Sequence, residues 1–406
     1  MKKIFKHFIA LSLVFALLFS LVGCDFKSLL GDKTNSGAND TKKELKPYTV
    51  TYVTDYEKIK NVIFIIGDGM GDVQLDAGEL AFDKEYAFRD SFSNLISETN
   101  SLDPDTDEAT VTTDSAAAAT ALATGVLTYN KRISMDSQFN EFTTFLDLAK
   151  SAGKSTAVVT TDYLSGATPA GFSAHTLARS LEIEIIKSQI TSGVDLLIGQ
   201  YDETYDKYEK QIKEKYNYVK TYDKEAILAS KESDALCLFN IEKSTDDSIE
   251  LKDATDLAIN YLADNQNGFV LVIEQAHIDK KCSDNDFEAA AKASNSLNDT
   301  VEYVLNFASQ RDDTAVIVTA DHETGGLKVS SNPEEYANTS TSANGTVFSY
   351  EFSTTNHTNT PVPFYYYGFG AKSERFTTYS SKEKLKNNEI FFIVKDLVMH
   401  SQMVEE

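Results

Sequence analysis

Basic residues are scarce in this 406-residue chain: 38 Lys and Arg face 62 Asp and Glu, for a formal net charge of −24. So acidic a surface repels polyanions and argues against nucleic acid as a partner, though not against a small anion held by metal ions. Cysteine is scarce too. Besides Cys24 only Cys237 and Cys282 occur, either paired or free. Long apolar runs are limited to one, at 8–22, so the remainder reads as a soluble body. There is no internal repeat. What is present is ordinary globular material, 42% hydrophobic with 19 Gly and 6 Pro, enough for one large α/β domain or two smaller ones.

The single apolar run sits where a leader would. MKKIFKHFIALSLVFALLFSLVGC opens with Lys2, Lys3 and Lys6 and closes on small residues before Cys24, the layout of a secretory signal. Its ending, Leu21-Val22-Gly23-Cys24, resembles the lipobox of bacterial lipoproteins. That resemblance implies cleavage after Gly23, a lipid on Cys24 and an extracytoplasmic protein anchored to the cell membrane. A plain signal peptide or a signal anchor is the alternative, but the run is short for a spanning helix. Residues 24–48, rich in Lys, Asp, Asn, Gly, Ser and Thr, read as a flexible tether, and 49–406 as the folded domain. Loss of residues 1–23, which hold three Lys and no Asp or Glu, takes the charge to −27.

Within that domain, apolar β-branched runs at 62–66, 156–159, 196–198, 269–273, 315–318 and 362–367 predict strands. Helical spacing at 142–151, 181–192, 251–265, 287–307 and 390–399 alternates with them. Such alternation predicts an α/β fold with a mostly parallel central sheet covered by helices on both faces. Two stretches break the rhythm. Residues 201–223 read as a peripheral helical excursion, and 330–355 as an insertion forming a hairpin or covering a site.

The stretch DSAAAATALATG, at 114–125, places Ser115 at the N-terminus of an alanine-rich helix built for close packing. The plain reading is that Asp114 or Ser115 caps the helix. The other is that the helix dipole and free N–H groups favour an anion there, a phosphate or a serine alkoxide. The strand ends weigh on this choice, because open parallel sheets bind ligands beyond their carboxyl edges. NVIFIIGDGMG ends on Asp68, without the spacing of a dinucleotide-binding turn. GFVLVIEQAHID supplies Glu274 and Asp279, TAVIVTADHETGG supplies Asp321 and His322, and His357 precedes the last strand. Acids and imidazoles converging there call for cations: mixed sets suit zinc, and all-oxygen sets magnesium.

Together GDGMG, TDSAAAATALATG, TADHETGG and HTNTPVP resemble the successive signatures of alkaline phosphatases, in family order from about residue 61 to the end. The resemblance implies an α/β/α sandwich and a phosphomonoesterase using two Zn2+ and one Mg2+. By the same resemblance Ser115 is the nucleophile that becomes phosphoserine. Asp68, Asp321 and His322 hold one zinc, Asp279 and His357 the other, and Thr168 and Glu274, with Asp68 shared, the magnesium. Arg179 grips the phosphate oxygens and Asp114 orients it. Two metals about 4 Å apart suit an in-line transfer to small monoesters. A homodimer is compatible with this reading.

Two positions depart from the family. Ser283 stands where a zinc histidine is usual, with Cys282, His277 and Asp284 as candidate substitutes and a buried or paired thiol as the plainer reading of Cys282. Gly166 stands where Asp or His is common, two residues before Thr168, and a water is expected in that coordination position. Lys280 either assists phosphate binding through water or is simply solvated. His175 reads as a residue that supports the site's ligands from behind or as a packing residue. The rival readings are a phosphodiesterase or sulfatase of the same superfamily, or a weakly active phosphate- or metal-binding lipoprotein. No Cys-x-Pro-x-Arg of the sulfatase kind occurs.

Overall fold

The computed structural model describes residues 58–91, 93–136, 138–369 and 382–403. The signal segment, Cys24 and the tether lie outside these residues. A ten-stranded sheet forms the centre, from β1 (Asn61–Gly67), β2 (Ser93–Glu98), β3 (Ser155–Tyr163), β4 (Leu196–Gln200), β5 (Asn217–Val219), β6 (Ala235–Phe239), β7 (Phe269–Gln275), β8 (Thr314–Thr319), β9 (Val362–Tyr367) and β10 (Leu385–Lys386). Their order is β10-β2-β9-β8-β1-β7-β3-β4-β6-β5. All neighbours pair parallel except β9, which is antiparallel to both β8 and β2.

The central strands are apolar on both faces because both faces are covered. Along β1, Ile63 and Ile65 enter the core shared with α6 (Leu251–Leu262) and α8 (Phe287–Ser309). Val62, Phe64 and Ile66 point the other way, toward α2 (Ser115–Thr124), α3 (Phe145–Ser151), α5 (Glu182–Thr191) and α9 (Asn387–Met403). The remaining named helices are α1 (Asp72–Phe82), α4 (Ala167–Ser173) and α7 (His277–Ser283). All six expected strands form. β2, β5, β6 and β10 are not among the expected strands; β5 and β10 are short, at three and two residues, and β2 is mostly polar in sequence.

Residues 201–223 differ from the helical expectation. After short helical turns at Tyr205–Tyr208 and Glu209–Lys213, Asn217–Val219 adds an edge strand to the main sheet beside β6. Its Tyr218 and Val219 pack on the two cores, which a solvated helix would not allow. Lys328–Ser330, Asn338–Thr341 and Val347–Glu351 form a separate three-stranded antiparallel sheet, where the expectation was a hairpin or a cover. Phe348 from it packs with Ala77, Ala81 and Phe287.

The alanines of α2 have a packing reason. All ten residues of this helix are buried, and it lies so close to α4 that a Cβ on Gly171 would sit 2.6 Å from Ala119 Cβ and 3.2 Å from its carbonyl carbon. Gly171→Ala is therefore expected to destabilise the protein by about 1–3 kcal/mol despite its better helix propensity. Urea unfolding of both proteins checks this, and an unchanged midpoint would show that the two helices have slack.

Candidate active site

Asp114 caps α2, its Oδ1 accepting from Ala117 N at 3.0 Å, so Ser115 takes the first helical position with its own hydroxyl free for other work. Of the two residues that could cap the helix, the acid does so and the serine does not. Asp114 also accepts from the Lys131 amide and from Arg179 Nη1 at 3.3 Å, which fixes the guanidinium over the helix start. Ser115 is buried, and its Oγ lies 3.3 Å from His322 Nε2.

The strand ends converge around that histidine. Asp68 follows β1 in a turn made possible by Gly69, whose φ is +75° and whose missing Cβ lets Asp279 Cα approach to within what would be 2.6 Å. Three hydrogen bonds tie the turn down: Asp279 N to Asp68 O at 2.8 Å, Gly69 N to Asp321 Oδ1 at 3.1 Å, and Thr324 N to Gly69 O at 3.2 Å. His357 joins from Glu323–Thr324 pairing with His357–Thr358. Because β9 runs backwards, the segment that precedes it starts at the same sheet edge where the parallel strands finish.

Hydrogen bonds occupy one nitrogen of each ring and turn the other toward the carboxylates. The Thr324 hydroxyl donates to Asp279 Oδ1 at 2.5 Å, so at 3.2 Å it can only accept from His322 Nδ1. His322 Nε2 is then a lone pair, and it faces Asp321 Oδ2 at 3.2 Å and Asp68 Oδ1 at 3.6 Å, two buried oxygens with no hydrogen-bond partner. His357 Nδ1 likewise donates to Thr113 O at 2.9 Å, which points Nε2 at Asp279 Oδ1, 3.4 Å away. The two rings stack at 3.5 Å between centroids. Lone pairs facing carboxylates in a dry site fit divalent cations. Asp68, Asp321 and His322 form one candidate ligand group, and Asp279, His322 and His357 another.

The protonation preferences are mixed: without a cation they favour a neutral His322 ring but the protonated forms of Asp68 and His357. Burial, then the charges of Asp321, Asp279 and Glu274, pushes the Asp68 carboxyl well above its usual range. Burial lowers His322. Asp279 is also opposed by burial, yet His357 and Thr324 hold it down at about 2, and the same Asp279 raises His357 against its own burial.

A third group lies one strand over. Thr160, opposite Glu274 in the β3–β7 register, donates its hydroxyl to that carboxylate. Burial, and after it the charge of Asp162, raises Glu274 to about 7. The Thr168 hydroxyl faces Glu274 as well, with no hydrogen bond of ordinary geometry. Lys280 pairs with Asp162 and is not a free solvated lysine.

None of the substitutes considered for Ser283 joins these groups. Cys282 is buried in the core, its thiol pushed up by burial, and both it and Cys237 are free thiols. His277 Nδ1 faces Glu242 at 3.6 Å, exposed Asp284 pairs with Lys281, and His175 hydrogen-bonds the Ser134 carbonyl. Thr324, Thr160 and Asp162 were missed by the sequence reading. Thr324 lies inside the motif TADHETGG, and Asp162 lies beyond the apolar run at 156–159, in a strand that continues to Tyr163.

The family model for alkaline phosphatase matches residues 59–195 and 202–391. The chain belongs to the alkaline phosphatase family. Alkaline phosphatases 3 and 4 of Bacillus subtilis are each 33% identical to it, over 67% and 69% of this chain. The chain spans only 63% and 65% of the length of those two relatives. The alkaline phosphatase of the Antarctic bacterium TAB5 superposes with a TM-score of 0.69 at 28% identity, covering 84% of this chain and 98% of that one. A mutant of that enzyme has been solved with magnesium bound. The alkaline phosphatase fold thus accounts for the mostly parallel sheet and its flanking helices.

Removing metal should leave these carboxylates repelling one another wherever they are ionised. Glu274 is raised above its unfolded value of 4.5, so its neutral form favours the fold below that value and the benefit is lost as pH rises through about 7. After chelation the melting temperature is therefore expected to fall between pH 5 and pH 8, and less so in Glu274→Gln. Calorimetry of both chelated proteins across that range tests this.

Proposed function

We propose that this protein is a metal-dependent phosphomonoesterase acting through a phosphoserine at Ser115. The observation that carries the reading is the Ser115 hydroxyl, held at the start of a buried helix 3.3 Å from His322 Nε2, among carboxylates and imidazoles that face one another with two buried carboxylate oxygens left without a hydrogen-bond partner. Asp68, Asp321 and His322 would hold one zinc, Asp279 and His357 a second, and Thr168 and Glu274, with Asp68, a magnesium. When bound, such cations supply Lewis-acid charge that favours the serine alkoxide and offsets charge on the departing oxygen.

The chain's own groups do the rest. Arg179 offers a planar fork to two phosphate oxygens, and Asp114 holds it in register with Ser115. The N-terminus of α2 presents free N–H groups to the same anion. Ser115 Oγ forms a bond to phosphorus as the ester P–O bond breaks and the alcohol leaves. Water then cleaves the Ser115–phosphorus bond and releases inorganic phosphate, with retention at phosphorus after two inversions. The substrates are small phosphate monoesters, and the lipobox-like motif at Cys24 argues for action outside the membrane on a lipid tether.

One observation favours a second reading, a poorly active phosphate-binding lipoprotein: nothing among the described residues replaces the histidine lost at Ser283. Turnover decides between them. Ser115→Ala should lower kcat for p-nitrophenyl phosphate by at least roughly 10³-fold and abolish acid-trapped labelled phosphate on the chain. Arg179→Ala should lower kcat/KM by roughly 10–100-fold. Faster hydrolysis of a diester or a sulfate ester than of the monoester would overturn the assignment, and a Ser115→Ala variant as active as the natural protein would favour the binder.

A further inference from the structure

Gly166 leaves a gap in the family pattern, and the space beside it is filled from elsewhere in the chain. A Cβ built on Gly166 would meet Asp162 Oδ2 at 2.7 Å and Asp162 Cγ at 3.2 Å. The carboxylate therefore occupies the ground that a side chain at 166 would need.

Several features aim Asp162 there. β3 continues to Tyr163, with an irregularity in its pairing to β4 between Val159 and Tyr163 that carries Asp162 past the regular ladder. Thr160 is bonded to Glu274 through its hydroxyl and accepts from the Asp162 amide at 2.8 Å. One Asp162 oxygen, Oδ1, takes Lys280 Nζ, which leaves Oδ2 toward Gly166. Two residues beyond Gly166, Thr168 is 2% exposed and its buried hydroxyl is without a hydrogen bond of ordinary geometry. A buried hydroxyl left without a partner beside Glu274, whose carboxyl feels the charge of Asp162, points to a ligand rather than to a structural acid pair.

We propose that Asp162 takes over the work of the residue absent at position 166: with Thr168 and Glu274 it completes an all-oxygen site for magnesium, and it anchors Lys280 at the edge of that site. This rests on the metal-dependent phosphatase reading above. The acid and its backbone support have exchanged places, the acid moving to the strand end and glycine clearing room for it. An oxygen-only set favours a hard cation and disfavours zinc, which seeks nitrogen or sulfur. Lys280 neutralises one charge of the cluster from its outer side.

Titration of zinc-loaded protein with magnesium chloride by calorimetry tests this, with zinc content measured alongside. Asp162→Asn, which keeps shape and removes charge, should weaken magnesium binding by roughly 10–100-fold and leave zinc content unchanged. Gly166→Ala should weaken it too, by pushing Asp162 aside, and should add little in an Asp162→Ala background. Magnesium affinity within twofold of the natural protein in Asp162→Asn, while Glu274→Gln weakens it, would overturn the proposal. So would equal losses from Gly166→Ala in both backgrounds, which would trace the effect to the nearby Tyr163 carbonyl, 2.9 Å from the added Cβ. If the natural protein hydrolyses no monoester yet loses magnesium on Asp162→Asn, the assigned reaction fails and this site stands.

Discussion

Carboxyl groups crowded together out of water are the constraint on which this molecule turns. Asp68, Asp321, Asp279 and Glu274 stand at neighbouring strand ends, largely removed from water, with Lys280 and Arg179 as the cations nearest to them. Burial alone would keep such groups neutral, and the raised Asp68 and Glu274 show that pressure. The hydrogen bonds that His322 and His357 donate to Thr324 and Thr113 commit a ring proton to the far side of each imidazole and turn Nε2 toward the carboxylates. A site so arranged is stable when divalent charge enters it and strained when it does not.

That electrostatic demand explains features of the fold that look like ordinary packing. Gly69 gives up its side chain so that the first strand's turn can touch α7, and through that contact Asp68 and Asp279 are fixed relative to each other. The alanines of α2 bring the start of the helix, and with it Ser115, up to His322 without bulk in between. Both are cases of a missing side chain setting a distance between reactive ones. Interior packing is rigid enough to hold such distances to fractions of an ångström.

Much of this was legible in the residues. The apolar runs that became β1, β3, β4, β7, β8 and β9 read as buried strands because both of their faces meet helices, and the acids after them read as ligands because such edges bind. Ser115, Asp68, Asp321, His322, Asp279 and His357 come together as expected. Less visible were groups whose role depends on register. Asp162 needed the correct end of β3, and Thr324 needed the pairing of Glu323–Thr324 with His357–Thr358. Edge strand β5 was hidden by a Tyr- and Lys-rich sequence whose composition suits a helix, and only pairing with β6 makes it a strand. The fate of Cys282 was undecidable from spacing, since one residue along a helix turns a side chain by about 100°.

The reversal of β9 has a consequence for how such a protein can diversify. A parallel strand in its place would have to be entered from the far side of the sheet, so the chain between it and β8 would need to cross the whole body. Running backwards, it lets that connection leave and return at one rim, carrying the three-stranded sheet of Lys328–Ser330, Asn338–Thr341 and Val347–Glu351 on the way. Material can be added or removed there without altering any strand order. The rim beside Asp321 and His357 is thus a place where new surface can be grafted next to old chemistry, and the scaffold beneath need not change to accommodate it.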